Sequence, residues 1–306
     1  LLELPGGALV GLRVWAGVAV AVGPPISAGD DPAASLEAFV NRCETYGWVP
    51  TVLDADAASV RAGADLGFSA LKIGEEAVVD LEGFSLIGRA RANVRHSATR
   101  AERDGVAVLR YDTASRTEAL DRQLGAISDA WLATKHGPEL GFTLGRFHPD
   151  GLDDQEVFVA ATPEGAVAFL TWLPYAGGRA AVLDLMRRGE GAPPGVMDLL
   201  IARSLDDLGR RGYRQASLGG VPLASTTERV TGLEQALGWM YEHGESVYEA
   251  KGLFAFKRKF DPRWEPIHLL YPTASDLPRI AVAVGRAFLP RGFGALQGWV
   301  PRRRPR

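Results

Sequence analysis

Apolar and polar positions alternate in short runs along the first half of the chain, which predicts mainly strands with intervening helices. Period-two alternation over about four to eight residues indicates a strand, and apolar residues at helical spacing indicate an amphipathic helix. The pattern predicts a hairpin, a helix, a strand, a short helix and a strand, over "ALVGLRVW" with "GVAVAVG", "DPAASLEAFVNRCETYG", "WVPTVLDA", "SVRAGADLG" and "SALKIGEEAVVDL".

The second half repeats this order of elements. Its strand patterns are "QEVFVAA", "GAVAFLTWLPY", "RAAVLDLM", "RQASLGG" and "GLFAFKRKF", and its helix patterns are "GVMDLLIARSLDDLGRRG" and "TGLEQALGWMYEHG". Residue identity between the halves is too low for a sequence repeat, so the shared order predicts a structural duplication. The expected fold class is therefore α/β (α+β), a tandem duplication with two mixed sheets.

A basic segment, "GRARANVRHSATRAERDG", lies between the halves and predicts a connecting helix. Five arginines face only Glu102 and Asp104 there, and Gly105 is a suitable C-terminal stop. Arg91 and Arg95 are four residues apart and share one helix face. A solvated helix surface accounts for this composition, and a polyanion partner accounts for it equally.

Length and composition set the domain organisation and remove several classes of site. A chain of 306 residues with 46% hydrophobic content corresponds to about two domains. We predict a first unit, a connecting basic helix and a second unit with a basic tail, over residues 1–88, 89–104 and 105–306.

The net charge of −3 gives no guide to partners, because the arginines are clustered. The single cysteine, Cys43, excludes an internal disulfide, and no Cys/His cluster has metal-ligand spacing, so no metal is expected. The apolar N-terminal stretch is broken by Glu3, Pro5 and Arg13 and predicts strands rather than a signal peptide or membrane span. We expect that a longer protein was cut before Leu1.

The stretch "LDLMRRGEGAPPGVMDLL" joins a strand through a glycine-containing turn to a helix N-terminus. This arrangement favours an anion, because unpaired backbone N–H groups and the helix dipole point into the turn. Arg188 and Gly191 fit the acyl-coenzyme A pattern of acetyltransferases, but the next required position is Pro193, which has no N–H to donate. We therefore expect no coenzyme A and no other cofactor.

Several blocks in register resemble the catalytic domain of the aminoacyl-phosphatidylglycerol synthases, also called the lysylphosphatidylglycerol synthase or multiple peptide resistance factor family. The resemblance covers roughly residues 10–290 and is carried by "KIGEEAVVDL", the basic segment, "WLATKHGPELGFTLGRF", "LDLMRRGEGAPPGVMDLL", "SLGGVPLA", "GLFAFKRKFDPRWEP" and "LLYP". It implies two acetyltransferase-like (GNAT) units joined by a basic helix.

For function, the resemblance implies transfer of an amino acid from aminoacyl-tRNA to the glycerol hydroxyl of phosphatidylglycerol. The place would be the cytoplasmic face of the bacterial plasma membrane, and the product would lower membrane negative charge and give resistance to cationic antimicrobial peptides. The expected partners are aminoacyl-tRNA, phosphatidylglycerol or a related lipid, and the membrane surface. The amino acid and the oligomeric state stay open.

The resemblance also implies site residues. The functional acid and arginine of its "DLMR" motif fall on Asp184 and Arg187, and the lysine of "FKxKF" falls on Lys259. Asp184 would hold the substrate ammonium or orient the attacking hydroxyl, while Arg187 and Lys259 would neutralise a phosphate or the oxyanion. The alternatives are an Asp184–Arg187 salt bridge and ordinary solvated lysines on a strand. We also assign substrate binding to Arg188, Lys257, Gly219 and Tyr248.

Arg91, Arg95 and Arg100 are candidates for the tRNA acceptor end or for lipid head groups. His96, His136 and His148 receive no role, although the glycines of "GPELGFTLGRF" suggest a loop near the site. We expect Trp131 to be a core residue. The rival functions are a coenzyme A-dependent acyltransferase, a non-catalytic tRNA- or lipid-binding module, and tRNA-dependent transfer to another lipid or a small molecule.

Overall fold

The computed structural model describes residues 1–29, 31–112, 115–134, 145–222 and 246–288, with side chains from 252 onward in the last range. The fold class is α/β, as predicted. The strands are β1 Leu2–Glu3, β2 Leu9–Val10, β3 Leu12–Trp15, β4 Val18–Ala21, β5 Val49–Ala55, β6 Ser69–Asp80, β7 Ala107–Tyr111, β8 Glu156–Thr162, β9 Gly165–Tyr175, β10 Ala180–Arg188, β11 Gln215–Pro222 and β12 Arg263–Tyr271. The helices are α1 Pro32–Tyr46, α2 Ala57–Asp65, α3 Ala92–Arg103, α4 Glu118–Ala133, α5 Val196–Arg210, α6 Ser246–Arg258 and α7 Leu277–Phe288.

One ten-stranded sheet, in the order β3-β4-β5-β12-β6-β11-β10-β9-β8-β7, replaces the two predicted sheets. The prediction of two sheets was wrong because β6 pairs along both of its edges and so joins the two halves. It runs antiparallel to β11 on one side and to β12 on the other. Hydrophobic alternation identifies a strand but does not specify its neighbour, so the sequence pattern could not reveal this joint.

The predicted duplication is visible in the sheet, with an exchange of strands. Read inward from one edge, the strand order is β3-β4-β5-β12. Read inward from the other edge, the strands after β7 and β8 are β9-β10-β11-β6, which match the first set position by position. Each set contains one parallel pair, β4 with β5 and β10 with β11. Each half therefore completes the sheet of the other, since β12 pairs with β5 and β6 pairs with β11. The boundaries at residues 88 and 105 stay a prediction of chain organisation.

Helices cover both faces of the second half of the sheet. In β8, Phe158 and Ala160 pack towards the cluster that contains α3 and α5, while Val157 and Val159 pack with α4. Alternate residues of a strand point to opposite faces, so this strand is buried on both sides. The predicted basic helix is α3, and Gly105 follows it with φ +84°, as expected for a C-terminal stop.

The predicted strand "GLFAFKRKF" is instead the end of helix α6 and the turn after it. Leu253, Phe256 and Phe260 recur at helical spacing, and the rings of Phe256 and Phe260 meet edge to face at 5.8 Å. A short run of this kind satisfies both the strand and the helix pattern, which is why the prediction was wrong. The last strand is β12, and the helix predicted over 231–244 lies outside the described residues.

Candidate active site

The candidate active site is a crevice between β10 and β11. The two strands pair in parallel only from Ala180 to Val182 and from Gln215 to Ser217, and then both become irregular. The register of β10 shifts between Leu183 and Leu185, and that of β11 shifts after Ser217. Bulges redirect side chains and end pairing, so the parallel strands separate at this point. We call this gap the crevice.

Asp184 is the bulged residue of β10. Its Oδ1 accepts a hydrogen bond from the Gly145 backbone N–H at 2.9 Å. Burial raises the pKa of this carboxyl, and the Gly145 hydrogen bond and the charge of Arg187 oppose that effect only partly. A Cβ on Gly145 would lie 2.6 Å from Asp184 Cγ, so only glycine fits beside the carboxylate. The suggested loop near the site is therefore confirmed at Gly145.

Arg187 is buried at 7% exposure and lies on an aromatic ring. Its guanidinium carbon is 3.9 Å from the ring centroid of Trp131 in α4, and its Nη1 donates to the Met186 carbonyl at 3.2 Å. An arginine held flat on an aromatic face keeps its charge in a fixed place. Trp131 thus has a partner that its assignment to the core did not anticipate.

Lys257 reaches the base of the crevice from α6 and is 4% exposed. Its Nζ donates to the carbonyls of Gly219 at 3.0 Å and Gly220 at 2.9 Å. Burial lowers the pKa of Lys257 to about 8, against an opposing effect of Glu76. A Cβ on Gly219, which has φ +84°, would lie 3.5 Å from this Nζ and 3.9 Å from the carbonyl oxygen of Leu183, the neighbour of Asp184. Lys257 is therefore bound to β11 at its bulge, and Gly219 of that bulge lies near the Leu183 carbonyl of β10.

A polar chain continues from Gly219 to β6. The Gly219 N–H donates to Ser217 Oγ at 2.9 Å, and Ser217 Oγ donates to Glu76 Oε1 at 2.5 Å. Gly219 is one of the predicted substrate-binding residues. Ser217 and Glu76 are not, because both lie within apolar strand patterns. Because buried polar groups require partners, the acidic pair Glu75–Glu76 within a strand pattern was the available signal.

Lys259 lies apart from these contacts, at the N-terminus of α5. Its Nζ binds Asp198 Oδ1 at 2.9 Å and Oδ2 at 3.1 Å, and Asp198 is buried in the first turn of the helix. Lys259, the predicted catalytic lysine, is therefore paired with Asp198. Its neighbour Lys257 is the lysine that contacts the crevice, at the carbonyls of β11. The sequence missed Asp198 because "GVMDLL" looks like an ordinary amphipathic helix.

The turn before α5 lacks one backbone donor for a pyrophosphate, because Pro193 has no N–H. Gly195 caps the helix without a side-chain hydrogen bond, and a Cβ there would lie 2.9 Å from the carbonyl carbon of Ser97 in α3. The carboxylate of Asp198 adds negative charge to the first turn, where the helix dipole already favours an anion. Arg188 is exposed at the end of β10.

Two of the three candidate arginines in the basic segment bind their own chain. Arg91 donates to the carbonyls of Ser85 at 2.9 Å and Phe260 at 3.0 Å, and Arg95 donates to Leu86 at 2.5 Å and Gly88 at 3.0 Å. The Arg100 side chain is 68% exposed, with Asp104 at 4.0 Å. Arg91 and Arg95 therefore fix a loop, whereas Arg100 faces outward.

Several predicted residues cannot be placed. The side chain of Tyr248, His136 and the tail from residue 289 lie outside the described residues.

Within the described ranges, no three His, Cys, Asp or Glu side chains are grouped to hold a metal ion. Over the same part of the chain, no helix combines the length and apolarity that a bilayer span requires.

Residues 3–271 match the protein family described as "Phosphatidylglycerol lysyltransferase, C-terminal". The chain is 32% identical over 292 residues to the lysylphosphatidylglycerol biosynthesis bifunctional protein LysX of Mycolicibacterium gilvum, covering 91% of this chain and 26% of that protein. It is 32% identical over 256 residues to the phosphatidylglycerol lysyltransferase of Bacillus subtilis, covering 82% and 29%. It thus spans about a quarter of the length of these relatives.

The solved structures give the same family. The C-terminal domain of a lysylphosphatidylglycerol synthetase from Agrobacterium fabrum superposes with a TM-score of 0.81 at 29% identity, covering 94% of this chain and 88% of that one. L-PGS from Bacillus licheniformis superposes with a TM-score of 0.78 at 27% identity, with the same coverage.

Proposed function

Because this chain belongs to the phosphatidylglycerol lysyltransferase C-terminal family, we propose that it transfers an amino acid from aminoacyl-tRNA to the glycerol hydroxyl of phosphatidylglycerol. The observation that carries the proposal is the crevice, where β10 bulges at Asp184 and the Lys257 amine binds the Gly219 carbonyl of β11. The relatives named for this chemistry contain much more chain, so donor, acceptor and location are all part of the proposal.

The chemistry asks little of the protein, because the aminoacyl ester of tRNA is already activated. The site must exclude water, align the lipid hydroxyl with the ester carbonyl carbon and stabilise the tetrahedral oxyanion. The hydroxyl oxygen forms the new ester bond, and the bond to the terminal ribose oxygen of the tRNA breaks. One proton moves from the lipid hydroxyl to that ribose oxygen.

Lys257 suits the proton transfer. A neutral amine has two N–H bonds and one lone pair, and the carbonyls of Gly219 and Gly220 accept two hydrogen bonds from its Nζ. With a pKa of about 8, a substantial fraction is neutral near physiological pH. In the proposal, Lys257 takes the hydroxyl proton and returns it to the leaving ribose oxygen.

Asp184 and Arg187 hold the donor. The Asp184 carboxylate, fixed by the Gly145 N–H, pairs with the α-ammonium of the aminoacyl group. Arg187, fixed on Trp131, favours the ionised form of Asp184 and supplies positive charge near the oxyanion or lipid phosphate. Lys259, to which the family resemblance assigns a role, would act through Asp198 at the helix N-terminus.

The rival functions make different demands. A coenzyme A-dependent acyltransferase needs a donor-rich turn, and Pro193 together with the Ser97 contact at Gly195 argues against one here. A binding module does not require a buried amine with a lowered pKa in a crevice. We also propose that the reaction takes place at the cytoplasmic face of the bacterial plasma membrane, where its product lowers negative charge and protects against cationic antimicrobial peptides.

The test is transfer of a radiolabelled amino acid from charged tRNA into a chloroform-soluble product, with phosphatidylglycerol dispersed in detergent as acceptor. Charging tRNA separately with lysine, alanine and arginine identifies the amino acid, and diacylglycerol replaces the lipid to test the acceptor. Asp184→Asn is the matched inactive control. Turnover with acetyl-CoA, and none with any charged tRNA, would show that the proposed donor is wrong.

A further inference from the structure

The loop between β6 and α3 carries an isoleucine at its tip that is almost fully exposed. Ile87 is 87% exposed, whereas Phe84 and Leu86 of the same loop pack against the main hydrophobic core. Exposing one large aliphatic side chain is common, but here it projects from a short loop whose preceding apolar residues are anchored in the core.

This loop is held rigidly by its own neighbours. Arg91 and Arg95 donate to the carbonyls of residues 85, 86 and 88, and the Ile87 N–H donates to Ser85 Oγ at 3.1 Å. The Arg91 guanidinium also lies 4.9 Å from the ring centroid of Phe84. Because the tip is ordered before any partner arrives, burying Ile87 would cost little conformational entropy.

The exposed face of α3, the helix that follows this loop, is basic. Arg89, just before α3, and Asn93, His96, Arg100 and Arg103 within it are all exposed, at spacings that follow one helix face. The nearby carboxylates are Glu82, which is exposed, Asp104, which lies 4.0 Å from Arg100, and Glu102, which is hydrogen-bonded to Arg203. An apolar tip that precedes a basic helix face, with Arg89 two residues from Ile87, complements the boundary between anionic head groups and hydrocarbon.

We propose that this surface, Ile87 with Arg89, Arg100 and Arg103, docks the domain on an anionic bilayer, with Ile87 inserted below the head groups. The pattern favours a membrane over RNA, because an aliphatic tip cannot stack on a base whereas it gains free energy in hydrocarbon. The inference needs no particular amino acid, donor or catalytic residue, so it stands or falls separately from the proposed function.

Fluorescent labelling tests the inserted residue directly. The one native cysteine, Cys43, is buried, and burial raises the pKa of its thiol to about 12, so an introduced thiol is labelled selectively. An environment-sensitive probe on Ile87→Cys should shift to shorter wavelength with vesicles containing phosphatidylglycerol. The matched control is Ile26→Cys, whose parent residue is 76% exposed beside β2, and it should not shift.

Co-sedimentation with the same vesicles gives the affinity. We expect Ile87→Ser to weaken partitioning about tenfold and Ile26→Ser to leave it unchanged. Arg89→Gln with Arg103→Gln should weaken binding by about fivefold per charge on anionic vesicles, with no effect on phosphatidylcholine vesicles.

Three results would overturn the inference. The first is that the wild-type protein does not bind anionic vesicles. The second is that Ile87→Ser binds them as tightly as wild type, and the third is that Ile87→Ser and Ile26→Ser lose vesicle affinity to the same extent. A fourth is that the arginine variants lose affinity for tRNA in a gel-shift assay while keeping vesicle binding, which would assign the surface to RNA. Aminoacyl transfer to detergent-dispersed lipid should be normal in Ile87→Ser, so loss of docking is distinguishable from failure of the proposed chemistry.

Discussion

The two halves of the sheet share one frame, but within the described residues the crevice lined with charged groups lies in the second. In the first half, all four residues of β4 are buried and uncharged, and Asp31 caps α1 by accepting from the N–H groups of Ala33 and Ala34. In the second half, β10 continues past its parallel partner into Asp184 and Arg187, and α5 starts at Gly195 without a side-chain cap. The charged groups of the second half therefore lie at strand ends and bulges, whereas the order and directions of the paired strands are the same in both halves.

A pair of equivalent bulges, one on β5 in the first half and one on β11 in the second, makes the comparison sharper. On β5, Leu53 and Asp54 lie opposite a single residue of β12, and on β11, Leu218 and Gly219 lie opposite a single residue of β6. The second residue of each bulge has positive φ, +55° at Asp54 and +84° at Gly219. The β11 bulge presents backbone carbonyls to Lys257, whereas the β5 bulge buries the Asp54 carboxyl. The same backbone irregularity therefore has different consequences in the two halves.

The largest effect should come from the contact between Gly145 and Asp184. Gly145→Ala leaves no room for the carboxylate and should lower aminoacyl transfer about 10²–10³-fold, as should Asp184→Asn, because a preorganised charge is lost. The thermal midpoint should stay near wild type in both. Rates with charged tRNA in detergent measure the effect.

Gly29→Ala is the control in the first half, since a Cβ there meets nothing within 4 Å. It should keep full activity. Wild-type rates in Gly145→Ala would mean that the geometry around Asp184 is not used in catalysis.

The next effect separates the two lysines. Lys257→Met should lower the rate by about a hundredfold. Lys259→Met should instead lower stability by about 1–3 kcal/mol, because it leaves the buried Asp198 without its charge partner, with the rate changed only a few-fold. If Lys257 is the base, the wild-type rate should rise with pH and level off above about 8, since the neutral amine is the active form.

Single-turnover rates from pH 6 to 9 and urea unfolding give these quantities. A hundredfold loss in Lys259→Met at unchanged stability would return the catalytic role to Lys259, as the family resemblance implies. A rate that falls as pH passes 8 would indicate that Lys257 acts as a cation.

The last effect is on stability, in the first half of the sheet. Burial, with a further contribution from Glu76, raises the pKa of Asp54 from 3.8 to about 6. Between these values the folded state holds the proton and the unfolded state has lost it, so stability falls as pH rises from about 4 to about 6. Asp54→Asn removes this penalty and tolerates positive φ, so it should be more stable than wild type by on the order of 2–3 kcal/mol above pH 6.

Urea unfolding at pH 4 and pH 7.5 checks the difference between wild type and variant, which should nearly vanish at the lower pH. A difference that is the same at both pH values would mean that the carboxyl is not destabilised by its bulge.

Most elements could be predicted from the sequence, because their alternation and turn residues are local. The strand exchange could not, since pairing partners come from distant segments with equally apolar patterns. At the candidate site, the family resemblance of "DLMR" implies Asp184 and Arg187, and their catalytic roles stay a prediction. The lysine was harder to assign, because "FKRKF" offers two candidates, and only the structure shows that Lys257 in α6 binds Gly219 whereas Lys259 in the following turn binds Asp198.

The exchange of β6 and β12 also constrains how the chain can fold. The centre of the sheet closes only when β12, from near one end of the described chain, reaches β5, from near the other. Such non-local pairing is slow, because the loop must close before its contacts repay the entropy. Until then β5 and β6 each present an open edge, so a nascent chain that has not yet released β12 would be especially prone to aggregate through these two strands.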